Sequence, residues 1–289
     1  ILPEIKTDHL QKMTTYFGLI QFSKINQPDF ESGYTIDDNA RALITTCMHY
    51  ELTNDKADLV SIQTYLHFIK FCLQPGGNFL NYVDIDKKFT SQNQDTNLDD
   101  ANGRTIWALG YLISKKSILP VEFIATALSI VQQTLPHIET IHSTRALAFI
   151  IKGLYFQYQE VATTEIFLLT ERLADRMVNM YIHESTKNWE WFESYLTYAN
   201  SILPEAMLCA SLVTGNALYK TIARESMDFL LLNIFNENGI EVVSNKGRFN
   251  RGDVALKFGE QPIDVAYTII SLAKFYEHFG DKEYLKKMF

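Results

Sequence analysis

Apolar residues recur at helical spacing along nearly the whole chain, and they do so in two alternating styles. In the first, only one face is apolar. Leu59, Ile62, Leu66, Ile69 and Leu73 form a stripe, with Asp58, Gln63, Thr64 and Lys70 turned elsewhere, which is the pattern of a helix with one wet side. Stretches 7–17, 120–135, 163–181 and 217–235 repeat it. In the second style the helix is apolar nearly all round. It covers 141–156, which contains Ala146-Leu147-Ala148-Phe149-Ile150-Ile151, then 202–213 and 263–276. Helices of that kind belong in the interior of a large fold. Strict alternation of the two predicts concentric layers: an all-α toroid of the (α/α)6 type, with inner helices starting near 37, 99, 142, 200 and 261.

The inner helices recur about every 55–60 residues, a longer period than the ~34–47 of helical solenoid repeats. The excess lies in the loops that enter them, and long loops in a compact domain are usually functional. Three entry loops resemble one another. They are Gly76-Gly77-Asn78-Phe79-Leu80-Asn81-Tyr82-Val83-Asp84, Asn188-Trp189-Glu190-Trp191-Phe192-Glu193 and Asn238-Gly239-Ile240-Glu241-Val242-Val243, the last running on through Gly247 and Gly252. Alternation in the first and third predicts short β-hairpins gathered over one face. The chain is expected to form a single domain over 1–289. After one opening helix, five inner helices and four outer ones, Lys282 to Phe289 begins another helix. The expectation is a toroid that lacks its last hairpin.

The most informative polar features are the helix openers Asp37-Asp38-Asn39-Ala40-Arg41 and Asp99-Asp100-Ala101-Asn102-Gly103-Arg104. Asp caps helix N-termini, and Asp37 with Arg41, like Asp100 with Arg104, is an ordinary i,i+4 pair. That accounts for one acid of each doublet. The other repels its neighbour, and a doublet repeated at two equivalent helix starts is what a polar cleft would use. Glycosidic cleavage needs two carboxyls, about 6.5–9.5 Å apart in an inverting enzyme. Asp38, Asp100, Glu193 and Glu260 are the candidate catalytic carboxyls, with Glu190 and Glu205 as further acids.

Around them, Tyr34, Asp37, Arg41, Asp99 and Arg104 are candidate substrate contacts from the openers themselves. Trp189, Trp191, Phe192, Tyr195 and Tyr198 crowd one short stretch with Glu190 and Glu193. Sugar rings stack on such side chains, so Trp189, Trp191 and Tyr198 join the candidate binding set. Asn200, Glu205 and Gln261 enter it from the later openers. His142 does so from its place at an inner-helix start.

Composition narrows the partners. A net charge of −8 argues against nucleic acid or an anionic membrane surface. Hydrophobic content of 47% with 13% aromatic supplies a core and excludes disorder. No apolar run reaches the ~18 residues of a membrane span, and no signal peptide is evident. Cys47, Cys72 and Cys209 lie in apolar stretches without a CxxC pattern, as buried free thiols of a reducing compartment do. A cytoplasmic location is expected, or a periplasmic one if a leader preceded Ile1. Nothing matches a zinc site, phosphate loop, dinucleotide fingerprint or calcium loop, so no cofactor and no metal are expected.

Gly33-Tyr34-Thr35-Ile36-Asp37-Asp38-Asn39-Ala40-Arg41-Ala42-Leu43, Leu196-Thr197-Tyr198-Ala199-Asn200-Ser201-Ile202-Leu203-Pro204-Glu205-Ala206 and Glu260-Gln261-Pro262-Ile263-Asp264 carry a resemblance. They resemble a bacterial domain found C-terminal to family-4-type glycosyltransferases or standing alone among carbohydrate-processing genes. The resemblance runs from His9 to about Tyr276, and its most specific part is Tyr34-x-x-Asp37-Asp38-Asn39-Ala40-Arg41. It implies the layout of the six-hairpin glycosidase superfamily and a glycosyltransferase or hydrolase partner, but little about activity. Members of that family continue into a further glycine-rich, acid-containing segment. The visible departure is Ser201, where the resemblance leads one to expect Arg.

Three functions fit these residues. The first is an inverting glycoside hydrolase acting on an oligosaccharide. A sugar epimerase or isomerase is the second; it would need a proton-transferring His pair, of which only His142 is well placed. The third is a non-catalytic glycan-binding domain that presents substrate to a partner enzyme. A terpenoid cyclase is disfavoured, because Thr35 stands where Asp-x-Asp-Asp needs its first acid and neither doublet completes Asp-Asp-x-x-Asp.

Overall fold

The computed structural model describes residues 4–244, 247–253 and 259–289, so part of the third entry loop (245–246 and 254–258) lies outside the described residues. The elements are α1 (Asp8–Met13), β1 (Ser23–Lys24), β2 (Gln27–Pro28), β3 (Tyr34–Thr35), α2 (Ile36–Thr53), α3 (Ala57–Cys72), β4 (Tyr82–Val83), α4 (Gln92–Asp95), α5 (Asp99–Ile113), α6 (Val121–Ile138) and α7 (Thr144–Glu160). There follow α8 (Thr164–Glu184), β5 (Tyr195–Leu196), α9 (Ile202–Thr214), α10 (Ala217–Ile234), β6 (Phe235–Asn236), β7 (Gly239–Ile240), β8 (Phe249–Asn250), α11 (Pro262–Phe279) and α12 (Lys282–Lys286). Among the described residues no helix is long and apolar enough to cross a membrane.

Local chemistry sets the helix boundaries. The Thr35 hydroxyl accepts from the Asp38 amide at the start of α2, and Thr163 and Asn216 cap α8 and α10 in the same way. Pro262 opens α11, while Gly215 and Gly280 close α9 and α11 in the left-handed conformation. Inner-helix starts at Ile36, Asp99, Thr144, Ile202 and Pro262 therefore fall within a few residues of the positions expected from periodicity.

The chain forms two compact units, residues 1–146 with 159–161 and residues 147–158 with 162–289. In the first unit α2 packs on α3 and α5, and α6 packs on both α3 and α5. Helix α5 is buried without interruption from Ala101 to Ile113. A Cβ on Gly103 would lie 2.7 Å from the Ala146 carbonyl oxygen, so only glycine lets the α7 backbone approach this closely. In the second unit α9 is buried from Ile202 to Ser211 and packs on α8, α10 and α11. One difference from expectation is α11, which buries a stripe (Asp264, Tyr267, Thr268, Ser271, Leu272, Phe275) rather than its whole circumference. Ile269, off that stripe, is 40% exposed.

The third entry loop makes the expected local hairpin, β6 with β7, and the first folds back on itself through the antiparallel bridges Leu73–Phe79 and Val83–Phe89. Strand β4 of the first loop also pairs with β3, just ahead of α2, and β5 pairs with β8. A hairpin that the sequence pattern did not announce, β1 with β2, lies in the segment leading to α2.

Asparagine side chains fasten the entry loops of the first unit. Asn39 Oδ1 accepts from the Leu19 amide at 2.8 Å, and its Nδ2 donates to the Thr35 carbonyl at 2.8 Å. Asn102 does the same one helix later. Its Oδ1 accepts from the Phe79 amide at 2.7 Å, and its Nδ2 donates to the Phe79 and Leu98 carbonyls. Asn93 binds the amides of Asn81 and Tyr82 and returns a bond to the Tyr82 carbonyl. These bonds satisfy loop backbone groups that have no ladder partner.

Replacing Asn39 or Asn102 with Leu leaves buried backbone groups unmatched and is expected to cost about 2–3 kcal/mol each. Urea denaturation with an unchanged m-value would show it; losses under about 0.5 kcal/mol would contradict the clamp.

Candidate functional site

The two Asn clamps give the opener motifs a register that differs from the one their doublets suggest. Because Asn39 and Asn102 hold their loops identically, Asp37 corresponds to Asp100, Asp38 to Ala101, and Arg41 to Arg104. The doublets are therefore not equivalent, and Asp38 is an acid without a counterpart on α5.

Asp37 is fixed from two helices. Arg41 Nη2 donates to its Oδ2 at 2.7 Å, and Arg104 Nη1 of α5 donates to its Oδ1 at 2.8 Å. The same Arg41 nitrogen donates to Asp38 Oδ1 at 2.9 Å, and the Thr35 hydroxyl donates to Asp38 Oδ2 at 2.5 Å. Asp38 keeps 27% of its side chain exposed. Its pKa is raised above the ordinary Asp value, chiefly because burial penalises the charged form. Arg41 and the Thr35 bond oppose the rise, and the charge of Asp37 adds to it. Two adjacent carboxyls thus have different jobs: Asp37 ties α2 to α5, and Asp38 is biased towards holding a proton.

Asp99 and Asp100 lie beside the start of α7. Asp99 Oδ2 accepts from the backbone amides of His142 and Ser143, both at 3.3 Å, and Ser143 Oγ donates to Asp100 Oδ1 at 2.6 Å. The His142 side chain is exposed. Tyr34 is 3% exposed, with its ring edge-on to Phe17 and its hydroxyl 3.3 Å from Thr15 Oγ1.

The remaining candidates belong to the second unit. Trp191 is fully buried and packs on Phe192 and Phe229, and Trp189 packs edge-on to Phe229 and Phe249. Both rings are occupied by the core, which removes them as faces for a ligand. Glu193 is half-buried. Its carbonyl accepts from Trp189 Nε1 at 2.7 Å, and Tyr195 donates to its Oε1 at 3.3 Å. The Arg248 guanidinium stands 4.0 Å above the Tyr195 ring. The Glu190 carboxyl has its pKa raised, first by burial and then by Glu225 and Asp228. Tyr198 is half-exposed, and Asn200 closes a tight turn onto the amide and carbonyl of Thr197. Between them Ala199 adopts a left-handed φ of 49°, held by Asp264 Oδ1 on its amide at 2.6 Å. Glu260 is exposed, and Gln261 precedes α11 without capping it through its side chain.

Glu205 proves to be half of a buried ion pair. Lys152 Nζ of α7 meets its Oε2 at 2.8 Å, with side-chain exposures of 0% and 1%, and Ser271 Oγ of α11 donates to the same oxygen at 2.7 Å. One carboxylate therefore joins α7, α9 and α11, and its burial closes it to a ligand. Among the described residues no three His, Cys, Asp or Glu side chains gather as a metal site.

No protein-family model matches the chain, and no curated protein matches it in sequence. Solved structures do. A sugar epimerase from a ruminal bacterium superposes with a TM-score of 0.74 at 13% identity, covering 98% of this chain and 82% of that one. A cellobiose 2-epimerase from Bacillus thermoamylovorans B4167 gives 0.72 at 12%, with 97% and 81% covered. The cellulase Cel9M of C. cellulolyticum, in complex with cellobiose, gives 0.55 at 10%, with 90% and 62% covered. The fold class is the α/α toroid. At such identities the likeness is one of fold alone.

The polar residues that the opener motifs did not reveal are Lys152, Ser143 and Thr35. Lys152 had a signal, a lone cation after Phe149-Ile150-Ile151 in an otherwise dry helix. The other two are small hydroxyls with no pattern of their own.

Lys152→Met leaves Glu205 as an uncompensated buried charge and is expected to cost about 3–5 kcal/mol, while Lys152→Met with Glu205→Met recovers most of that loss. Thermal unfolding of the three proteins decides it; additive losses would contradict the pair.

Proposed function

We propose that the chain is a carbohydrate-active enzyme that cleaves a glycosidic bond in an oligosaccharide, with Asp38 as proton donor and Asp100 as the partner carboxylate. The observation that supports this most is the state of Asp38, a partly exposed carboxyl biased towards protonation beside an acid locked by two arginines. Glycoside hydrolysis asks for a proton donor and a second carboxyl, and a raised pKa suits Asp38 to the donor's part. Asp38 gives its proton to the departing oxygen, and Asp100, oriented by Ser143, accepts one from the attacking water. Solved structures of the same fold are named for sugar chemistry, which supports the substrate class.

The second reading is epimerisation of a sugar. It is favoured by the higher TM-scores of the two epimerases, 0.74 and 0.72 against 0.55 for the cellulase. In that reading Asp100 takes the proton from the carbon beside the carbonyl of the open-chain sugar, and Asp38 returns one to the opposite face of the resulting enediolate carbon. Product analysis on cellobiose and other disaccharides separates them, since hydrolysis yields monosaccharides and epimerisation conserves mass. Binding without turnover would instead support a glycan-holding role beside a glycosyltransferase or hydrolase partner.

Asp38→Asn is expected to lower turnover at least about 100-fold. Wild-type activity should fall as pH rises through the raised Asp38 pKa. A carboxyl with its folded pKa raised contributes fully to stability below its unfolded pKa and loses that contribution as pH rises through the folded one. Asp38→Asn should therefore match or exceed wild type in Tm at pH 7. Full activity in Asp38→Asn would end this assignment.

A further inference from the structure

We infer that Tyr82 is the sugar-stacking residue of the Asp38 site, placed there by the β3–β4 pairing and held by Asn93. The inference rests on the proposed carbohydrate function and names a residue that neither the opener motifs nor the aromatic stretch at 189–198 contains.

The register supplies the argument. Tyr34 lies opposite Val83 and Thr35 opposite Tyr82, and the Ile36 amide donates to the Asn81 carbonyl at 2.9 Å. Hydrogen-bonded pairs therefore fall at 34/83 and 36/81, which makes 35/82 the narrow, non-hydrogen-bonded pair. The backbone of Tyr82 agrees, because it faces away from β3. Its amide donates to Asn93 Oδ1 at 2.9 Å, and its carbonyl accepts from Asn93 Nδ2 at 2.8 Å and from the Thr90 amide at 3.2 Å. Directly opposed side chains leave the same face of the ribbon, with Cβ atoms about 4.5–5.5 Å apart at such a pair. Tyr82 thus stands beside the side chain whose hydroxyl grips Asp38 Oδ2.

The two members of the pair differ in access. Thr35 is 2% exposed and its hydroxyl is engaged twice by Asp38, through the carboxyl and the amide. Tyr82 is half-exposed, and among the described residues its ring takes part in no ring pair and its hydroxyl in no hydrogen bond. Neighbouring Phe89 is by contrast stacked on Phe71 at 5.1 Å. A ring with an anchored backbone and an uncommitted face, next to a proton-donating carboxyl, is suited to the apolar face of a pyranose.

The test uses the full chain and titrates cellobiose, maltose and mannobiose by NMR against wild type, Tyr82→Ala, Tyr82→Leu and Tyr82→Trp. Tm is measured on each. We expect at least tenfold weaker binding in Tyr82→Ala and Tyr82→Leu, retention in Tyr82→Trp, and Tm values close to wild type in all. Leu keeps apolar bulk without a ring, so a loss there together with rescue by Trp identifies stacking rather than folding. Equal affinity in wild type and Tyr82→Ala would overturn the inference and leave the Asp38 proposal intact. Failure of wild type to bind any of the three would contradict the carbohydrate reading itself.

Discussion

Loops that carry chemistry leave backbone amides and carbonyls with no helix or ladder to join. In the first unit that constraint is met by side-chain amides. Asn39, Asn93 and Asn102 each bind both a backbone N–H and a backbone C=O, and Asn81 Oδ1 accepts from the Asp37 amide. An asparagine is suited to this because it donates and accepts from one planar group. The clamps add to the short strand pairings and bridges that define the loops at 19–35 and 79–93. The position of every polar group at the start of α2 depends on them.

Given that scaffold, the electrostatics of the openers divides into structure and chemistry. Arg104 reaches from α5 to Asp37, so an ion pair fixes the two helix starts to each other. Arg41 bridges both acids through a single nitrogen. Burial raises the Asp38 pKa and the charge of Asp37 adds to the rise, while Arg41 and the Thr35 bond oppose it. The second unit uses charge differently. Lys152 and Glu205 are wholly enclosed and joined by Ser271, an arrangement that orders three helices and leaves no opening for a ligand.

Much of this was legible in the amino-acid order. The inner helices could be placed by periodicity, most clearly where burial on all sides leaves a long run, as in Ala101 to Ile113 of α5 and Ile202 to Ser211 of α9. Pairings distant in sequence were not legible. Nothing local to Tyr82 announces that it will face Thr35, 47 positions earlier, and nothing in Tyr195-Leu196 points to Asn250 and Phe249. The repeated acid doublet also obscured the true repeat, whose invariant element is the asparagine. Burial redistributed the aromatic candidates as well. Trp189 and Trp191 alternate with acids in a stretch that looks wet, yet both rings turn inward onto Phe229.

The raised pKa of Asp38, at a helix start it shares with Asp37, is what the proposed proton transfer rests on. Carbon-13 NMR titration of the aspartate side-chain carboxyls, with Asp38 assigned through Asp38→Asn, addresses it without knowledge of the substrate. The Asp38 resonance should titrate above the ordinary Asp value of about 3.9. Thr35→Val, which removes a bond that favours the charged form, should move the midpoint higher still. An Asp38 midpoint at or below the ordinary value would contradict the claim that this residue is the proton donor.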